Sequence, residues 1–305
     1  MRLPHSPRIA VALAGVAVTA LAVTGCSTAT SAADDGTIRI VASTSAYGSI
    51  ASAIGGDLVD VTSIMSDPSQ DPHSFEADAQ VQLSLSKADI VIENGGGYDD
   101  FVDTLLTGAG NSGVVLLNAA EISGYDQKPA EGEFNEHLWY DFPTIEKVAA
   151  RITAELTTLD SAAADTFRAN AAAFTTQLQA LEAKEATIKS TSAGAGVAIT
   201  EPVPLYMLEA AGLVNKTPEA FSEAIEEGSD VSPAVLRDTL ALFSDHTVKL
   251  LAYNEQTTGA ETEAVLTAAK DAGIAIVPVT ETLPKGVDYI QWQSDNLDAL
   301  AAALG

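Results

Sequence analysis

The chain has 305 residues and a formal charge of −27 at pH 7, from 42 acidic and 15 basic side chains. A surface this acidic repels nucleic acid and anionic lipid head groups, which excludes a nucleic-acid partner and concentrates cations. A single cysteine rules out an intramolecular disulfide, so an apolar core must hold the fold, and 47% hydrophobic residues can supply one.

Arg2 and Arg8 precede an apolar, small-residue stretch over 9–23, the layout of a secretory signal. That stretch falls short of the roughly 20 apolar residues that a spanning helix needs, so a cleaved signal is expected rather than a permanent transmembrane anchor. The run Leu21-Ala22-Val23-Thr24-Gly25-Cys26 resembles a bacterial lipobox, in which cleavage falls before the cysteine and its sulfur is lipidated. Residues 1–25 are therefore read as a lipoprotein signal peptide, and Cys26 as the lipidation site that anchors an extracytoplasmic protein to the cell membrane. Losing residues 1–25 removes two arginines and no acids, which leaves about −29 on the mature chain. Residues 26–36 are Cys, Ser, Thr, Ala, Asp and Gly without apolar periodicity, and read as a flexible tether.

From Thr37 short β-branched runs alternate with helical stretches: strands over 38–42, 59–65, 90–93 and 114–117, with helices over 46–54 and 79–86. That cadence predicts a parallel or mixed sheet with helices on its faces. Residues 144–188 then lack both Gly and Pro. They carry Ile145, Val148, Ile152, Leu156 and Leu159, then Phe167, Phe174, Leu178 and Leu181, at helical spacing. Asp160-Ser161 reads as an internal N-cap dividing two helices, the second about 40 Å long. The alternation resumes with strands over 197–200, 248–253 and 274–279 and helices over 205–211, 233–242, 261–272 and 294–304. The prediction is an α/β protein of two lobes, each a sheet with flanking helices. The first lobe spans 37–143 and the second 191–305, joined by rigid linker helices over 144–190.

Three histidines remain after the signal: His73, His137 and His246. His73 lies in Asp71-Pro72-His73-Ser74-Phe75-Glu76, after the strand ending near Met65, where Pro72 restricts the backbone. His137 lies in Asn135-Glu136-His137-Leu138-Trp139-Tyr140-Asp141, just before the first linker helix. Either histidine alone suits a solvated or structurally hydrogen-bonded role, but both occupy strand-end or pre-helix positions, where α/β folds place their sites.

These loops, the long helical linker and the tail from Glu281-Thr282-Leu283-Pro284 to Trp292 resemble the solute-binding proteins of zinc and manganese ABC importers, over the whole mature chain. The resemblance implies one divalent metal ion, Zn2+ or Mn2+, bound in the inter-lobe cleft and delivered to a membrane permease with its ATPase. It maps the first two metal ligands onto His73 and His137. The third falls at the end of the first strand of the second lobe, in Thr200-Glu201-Pro202, and makes Glu201 the candidate; the fourth, a carboxylate after the last strand, is Glu281. The chain departs from the family pattern in three places. Glu136 stands where Pro is frequent, Glu281 where Asp is usual, and no His-rich loop follows His73.

Neutral imidazole suits zinc and other borderline ions, whereas carboxylate oxygens suit manganese, so two of each leave the metal identity open. Because histidine must be neutral to ligate, affinity should fall as pH drops through about 6. Two other classes compete. A metal-dependent hydrolase would need an open coordination position, and the chain has neither a His-Glu-x-x-His signature nor a Gly-x-Ser-x-Gly elbow. A surface adhesin or structural lipoprotein would bind metal incidentally. The expectation is a monomeric carrier and not an enzyme. Trp139 and Tyr140 suit either shielding of the site or core packing. Gly95 to Gly97 lack any nucleotide fingerprint and are given no cofactor role. His246 is read as a surface residue, and Glu226, Glu227 and Asp230 as a solvated loop.

Overall fold

β-branched runs buried on both faces form parallel strands, because only a sheet covered by helices on both sides can hide them. The computed structural model describes residues 37–69, 72–130 and 132–305. The expected signal peptide, Cys26 and tether lie outside the described residues. The first sheet is built from β1 (Ile38–Thr44), β2 (Val59–Met65), β3 (Ile90–Glu93) and β4 (Val115–Asn118), all parallel in the order β2-β1-β3-β4. Around it lie α1 (Ser45–Gly55), α2 (Ala79–Leu85), α3 (Phe101–Ala109) and α4 (Ala119–Ser123).

Two linker helices follow. In α5 (Phe142–Leu159) the Asp141 side chain accepts from Thr144 N, and Pro143 occupies the first turn, where its missing N–H costs nothing. Asp160 ends that helix and caps a short 3-10 turn by accepting from the amides of Ala162 and Ala163, as an internal N-cap should. Then α6 (Ala164–Ser192) runs for 29 residues. It buries Phe167, Phe174, Leu178, Leu181 and Ile188, a stripe at intervals of seven, four, three and seven.

The second sheet repeats the first: β5 (Gly196–Ile199), β6 (Val214–Asn215), β7 (Leu250–Asn254) and β8 (Ala275–Val279), parallel in the order β6-β5-β7-β8. Its helices are α7 (Leu205–Ala210), α8 (Glu219–Glu226), α9 (Pro233–Ser244), α10 (Ala260–Asp271) and α11 (Tyr289–Leu304). The predicted class is borne out as two parallel α/β lobes with a long helix between them.

One apolar cluster runs unbroken from Ile40 and Ile50 through Trp139, Phe142, Phe167 and Phe174 to Leu250, Val277, Tyr289 and Trp292. Both lobes and the linker helices therefore share a core, and each fully buried large side chain in it contributes about 2–3 kcal/mol. Lys184 of α6 fastens α11 by donating to Ser294 Oγ and Asp298 Oδ1.

The structure adds β6, α3, α4 and α8 to the predicted elements. β6 is two residues long, and α8 shows only Phe221 and Ile225 as an apolar signal among three glutamates. The last helix starts at Tyr289, not at 294, because the Asp288 carboxylate accepts from Gln291 N and sets the cap earlier.

Candidate metal centre

Both sheets point the carboxyl ends of their strands at the cleft between the lobes, where open α/β sheets bind ligands. Beyond β2, Pro72–Ser74 form a 3-10 turn closed by Phe75 N donating to Pro72 O, and the Phe75 ring rests on Phe101. This turn presents the His73 ring edge-on to Tyr98, with centroids 5.4 Å apart. Tyr98 follows β3 through Gly95, Gly96 and Gly97, whose φ values of 72°, 69° and 103° lie in the region that side chains rarely adopt. The Asp99 carboxylate accepts from the amides of Asn94 and Gly95 and locks that turn.

His137 is fully buried. Asn135 Oδ1 lies 2.8 Å from its Nδ1, while the Asn135 amide nitrogen donates to Pro202 O across the cleft. That orientation makes the neutral imidazole carry its proton on Nδ1 and turns the Nε2 lone pair inward, the usual outer support of a ligating histidine. Trp139 packs edge-on against His137 and Tyr98, so it walls the site as well as filling the core. Tyr140 packs on Trp292 and donates to Thr280 O, which ties the loop to the second lobe.

The second lobe contributes carboxylates. Glu281, directly beyond β8, is completely buried; its Oε1 accepts from Asn254 Nδ2 and its Oε2 from the Tyr98 hydroxyl. Glu281 Oε2 lies 3.5 Å from His73 Nε2 and 3.8 Å from His137 Nε2. Among the described residues these three side chains bring one donor atom each within 4.8 Å of one another. Glu201 follows β5 and is 2% exposed, with neither oxygen in hydrogen-bonding geometry. It faces Asn254 and Thr257 and feels the charge of Glu281, but it stands outside that tight group.

The reading of Glu226, Glu227 and Asp230 as a solvated loop is corrected at its first residue. Glu227 and Asp230 are exposed, but Glu226 ends α8 with its carboxylate in the cleft. Its Oε1 lies 3.5 Å from His137 Nε2 and 3.9 Å from His73 Nε2. The one sequence signal was helical: Phe221, Ser222 and Ile225 form the buried face of α8, and Glu226 stands one turn beyond Ser222. Tyr98 and Asn254 were also missed, since a lone tyrosine after a glycine turn and an asparagine at a strand end carry no sequence signature. His246 is exposed, at φ 50° before β7.

Electrostatics follow from burying so many acids beside two imidazoles. Burial alone would lower the pKa of His137, but Glu226, Glu281 and Glu136 outweigh it and raise it to about 9. Burial pushes Glu201 up to about 8 and Glu226 up to about 7, the latter partly offset by His137. Burial would raise Glu281 too, yet His137, His73 and the Tyr98 hydroxyl hold it below the usual carboxylate value. A buried negative charge this concentrated suits a dication. The outer cleft beside His73 has a volume of about 350 Å³ and is lined by further acids, among them Glu133, Glu136, Glu219 and Glu223.

Two parallel α/β lobes on a shared helical spacer, facing a small charged cleft, define a two-lobed binding protein. The chain belongs to the family described as zinc-uptake complex component A, periplasmic, which matches residues 40–303. It is 31% identical to the manganese-binding lipoprotein MntA of Bacillus subtilis (strain 168) over 173 residues, 56% of either chain. The alignment thus spans about half the length of that curated relative. Among solved structures, the periplasmic zinc binding protein TroA from Treponema pallidum superposes with a TM-score of 0.75 at 18% identity, covering 88% of this chain and 100% of the other. The binding protein FpvC from Pseudomonas aeruginosa, in complex with Mn2+, gives 0.71 at 22% identity over 88% and 98%. At these identities the structures share the fold.

Proposed function

We propose that this protein captures a divalent transition metal, zinc or manganese, outside the cytoplasm and delivers it to the permease and ATPase of an ABC importer. The observation that carries the reading is the meeting of His73 and His137 from the first lobe with Glu281 from the second, donor atoms within 4.8 Å, with His137 and Glu281 buried and His73 at the solvent side. Glu201, buried beside Asn254 and Thr257 with neither oxygen in full hydrogen-bonding geometry, is assigned as a further carboxylate ligand. A buried carboxylate so weakly satisfied is costly unless a cation or proton joins it.

The metal bridges the lobes in this scheme. Tyr98 to Glu281, Tyr206 to Asn135 and Tyr140 to Thr280 already link the lobes by hydrogen bonds, and the common core limits the hinge, so binding changes the cleft locally. The permease then recognises the loaded cleft. Lipidated Cys26 holds a monomeric carrier at the membrane in this reading, and no helix among the described residues is long and apolar enough to cross a membrane.

Elemental mass spectrometry of the purified protein, followed by competitive Zn2+ and Mn2+ titration of the stripped form, tests the proposal. One equivalent of metal with tight rebinding is expected, lost on replacing His137 or Glu281 by Ala. No stoichiometric metal and no rebinding would sink it and favour a structural or adhesive lipoprotein.

A further inference from the structure

Glu226 is the carboxylate that the sequence motifs leave out, and its placement is specific. It arrives from α8, an element separate from those carrying Glu201 and Glu281. Its Oε1 has no hydrogen-bond partner although it is cut off from solvent, and of the two imidazoles it lies closer to His137 Nε2, likewise buried and without a hydrogen bond. Two complementary groups so placed leave each other unsatisfied at 3.5 Å, a spacing that an ion between them would explain.

The geometry of the four donors supports this. His73 Nε2 and His137 Nε2 each face both Glu226 Oε1 and Glu281 Oε2, over separations of 3.9, 3.5, 3.5 and 3.8 Å. A tetrahedron with metal–ligand bonds of about 2.0–2.2 Å has ligand–ligand edges of roughly 3.3–3.6 Å. Two of the four separations, 3.5 Å each, fall within that range and the other two, 3.8 and 3.9 Å, are slightly longer. Glu226 groups with His73 and Glu136 rather than with Glu281, so its side chain must swing inward to close the shell. Glu281 and Glu226 flank the two imidazoles, one anchored at the floor by Asn254 and Tyr98, the other carried on the helix beside the outer cleft.

We propose that Glu226 is a direct ligand of the transported ion, a carboxylate additional to Glu201 and Glu281, and that it tilts the site toward Mn2+ over Zn2+. The inference rests on the metal-carrier reading above and deepens it. With Glu226 the cleft offers two imidazoles and three carboxylates, five protein donors before any carboxylate binds through both oxygens. Zinc is satisfied by four ligands, whereas manganese takes more and prefers oxygen. An extra glutamate therefore rewards manganese and adds little for zinc.

The test measures Mn2+ and Zn2+ affinities of wild type, Glu226→Gln and Glu227→Gln by competition with chromophoric chelators. Glu227→Gln alters an exposed neighbour and serves as the control. Glu226→Gln is expected to weaken Mn2+ at least tenfold more than Zn2+. The Mn2+ electron paramagnetic resonance spectrum should change with it, because the first shell changes. Stripped Glu226→Gln should stay folded, since Gln keeps the side-chain shape and Oε1 has no hydrogen bond to lose. Unchanged affinities, or an equal loss for both ions, overturns the role of Glu226 while leaving the carrier function intact. A wild-type protein that binds neither ion overturns the carrier reading itself.

Discussion

The Tyr98 hydroxyl donates to Glu281 Oε2 at 3.0 Å, a hydrogen bond that joins the glycine turn of the first lobe to the end of β8 in the second. It aims one carboxylate oxygen at the histidines while Asn254 holds the other. A hydrogen bond to a charged group contributes about 1.5 kcal/mol. Tyr98→Phe is therefore expected to weaken metal binding roughly tenfold with little change in the fold, read by competitive titration and far-ultraviolet circular dichroism. An unchanged affinity would remove Tyr98 from the site's support.

Metal capture should release protons well above the range of free imidazole. The sequence placed the loss of affinity near pH 6, but the acids around His137 raise it to about 9, so at pH 7 the ion must displace a proton. Burial puts Glu201 at about 8 and Glu226 at about 7, so a second and then a third proton join as pH falls further. Affinity should rise steadily from pH 6 to 9, with a slope of more than one proton near pH 8 and a steeper one below 7. Calorimetry in buffers of different ionisation enthalpy counts the protons directly. A flat profile over that range would contradict the arrangement of charges around His137.

Glu185 lies on the buried stripe side of α6, where burial, with Glu182 and Asp141 adding, pushes it up to about 8. Its folded pKa lies above the ordinary carboxylate value of 4.5, so the folded state binds the extra proton between these two values. Stability is thus undiminished below about pH 4.5 and falls as pH rises toward 8. Glu185→Gln should stabilise the stripped protein by about 1 kcal/mol at pH 8, after discounting for the solvent that still reaches the group, and have almost no effect at pH 4.5. Melting curves at the two pH values separate these outcomes.

The turn after β3 depends on backbone freedom. Gly96 has φ 69°, and a Cβ there would run into the Phe134 ring. Gly96→Ala should cost about 2–3 kcal/mol from strain and repacking, and should weaken metal binding because Tyr98 rides on the same turn. Denaturant unfolding and metal titration of the variant check both halves. A variant as stable as wild type would show that the turn relaxes without strain.

The sequence by itself determined the strand and helix cadence, the long spacer, and the two histidines. These are written in local signals: β-branched runs, helical periodicity, an Asp-Ser cap, and imidazoles beside rigid loop residues. The residues Glu201 and Glu281 were legible as strand-end carboxylates through resemblance to a family; Glu281 lies against the histidines, and Glu201 is buried beside Asn254 and Thr257. Only the tertiary structure decided the rest. Glu226 reads as one more exposed acid in Glu226-Glu227 until α8 docks and turns one of the pair inward, and Tyr98 and Asn254 become supports of Glu281 across sequence separations of 183 and 27 residues. Such roles depend on which atoms the two lobes bring within about 3–4 Å of each other, and neighbouring letters in a chain carry no record of that distance.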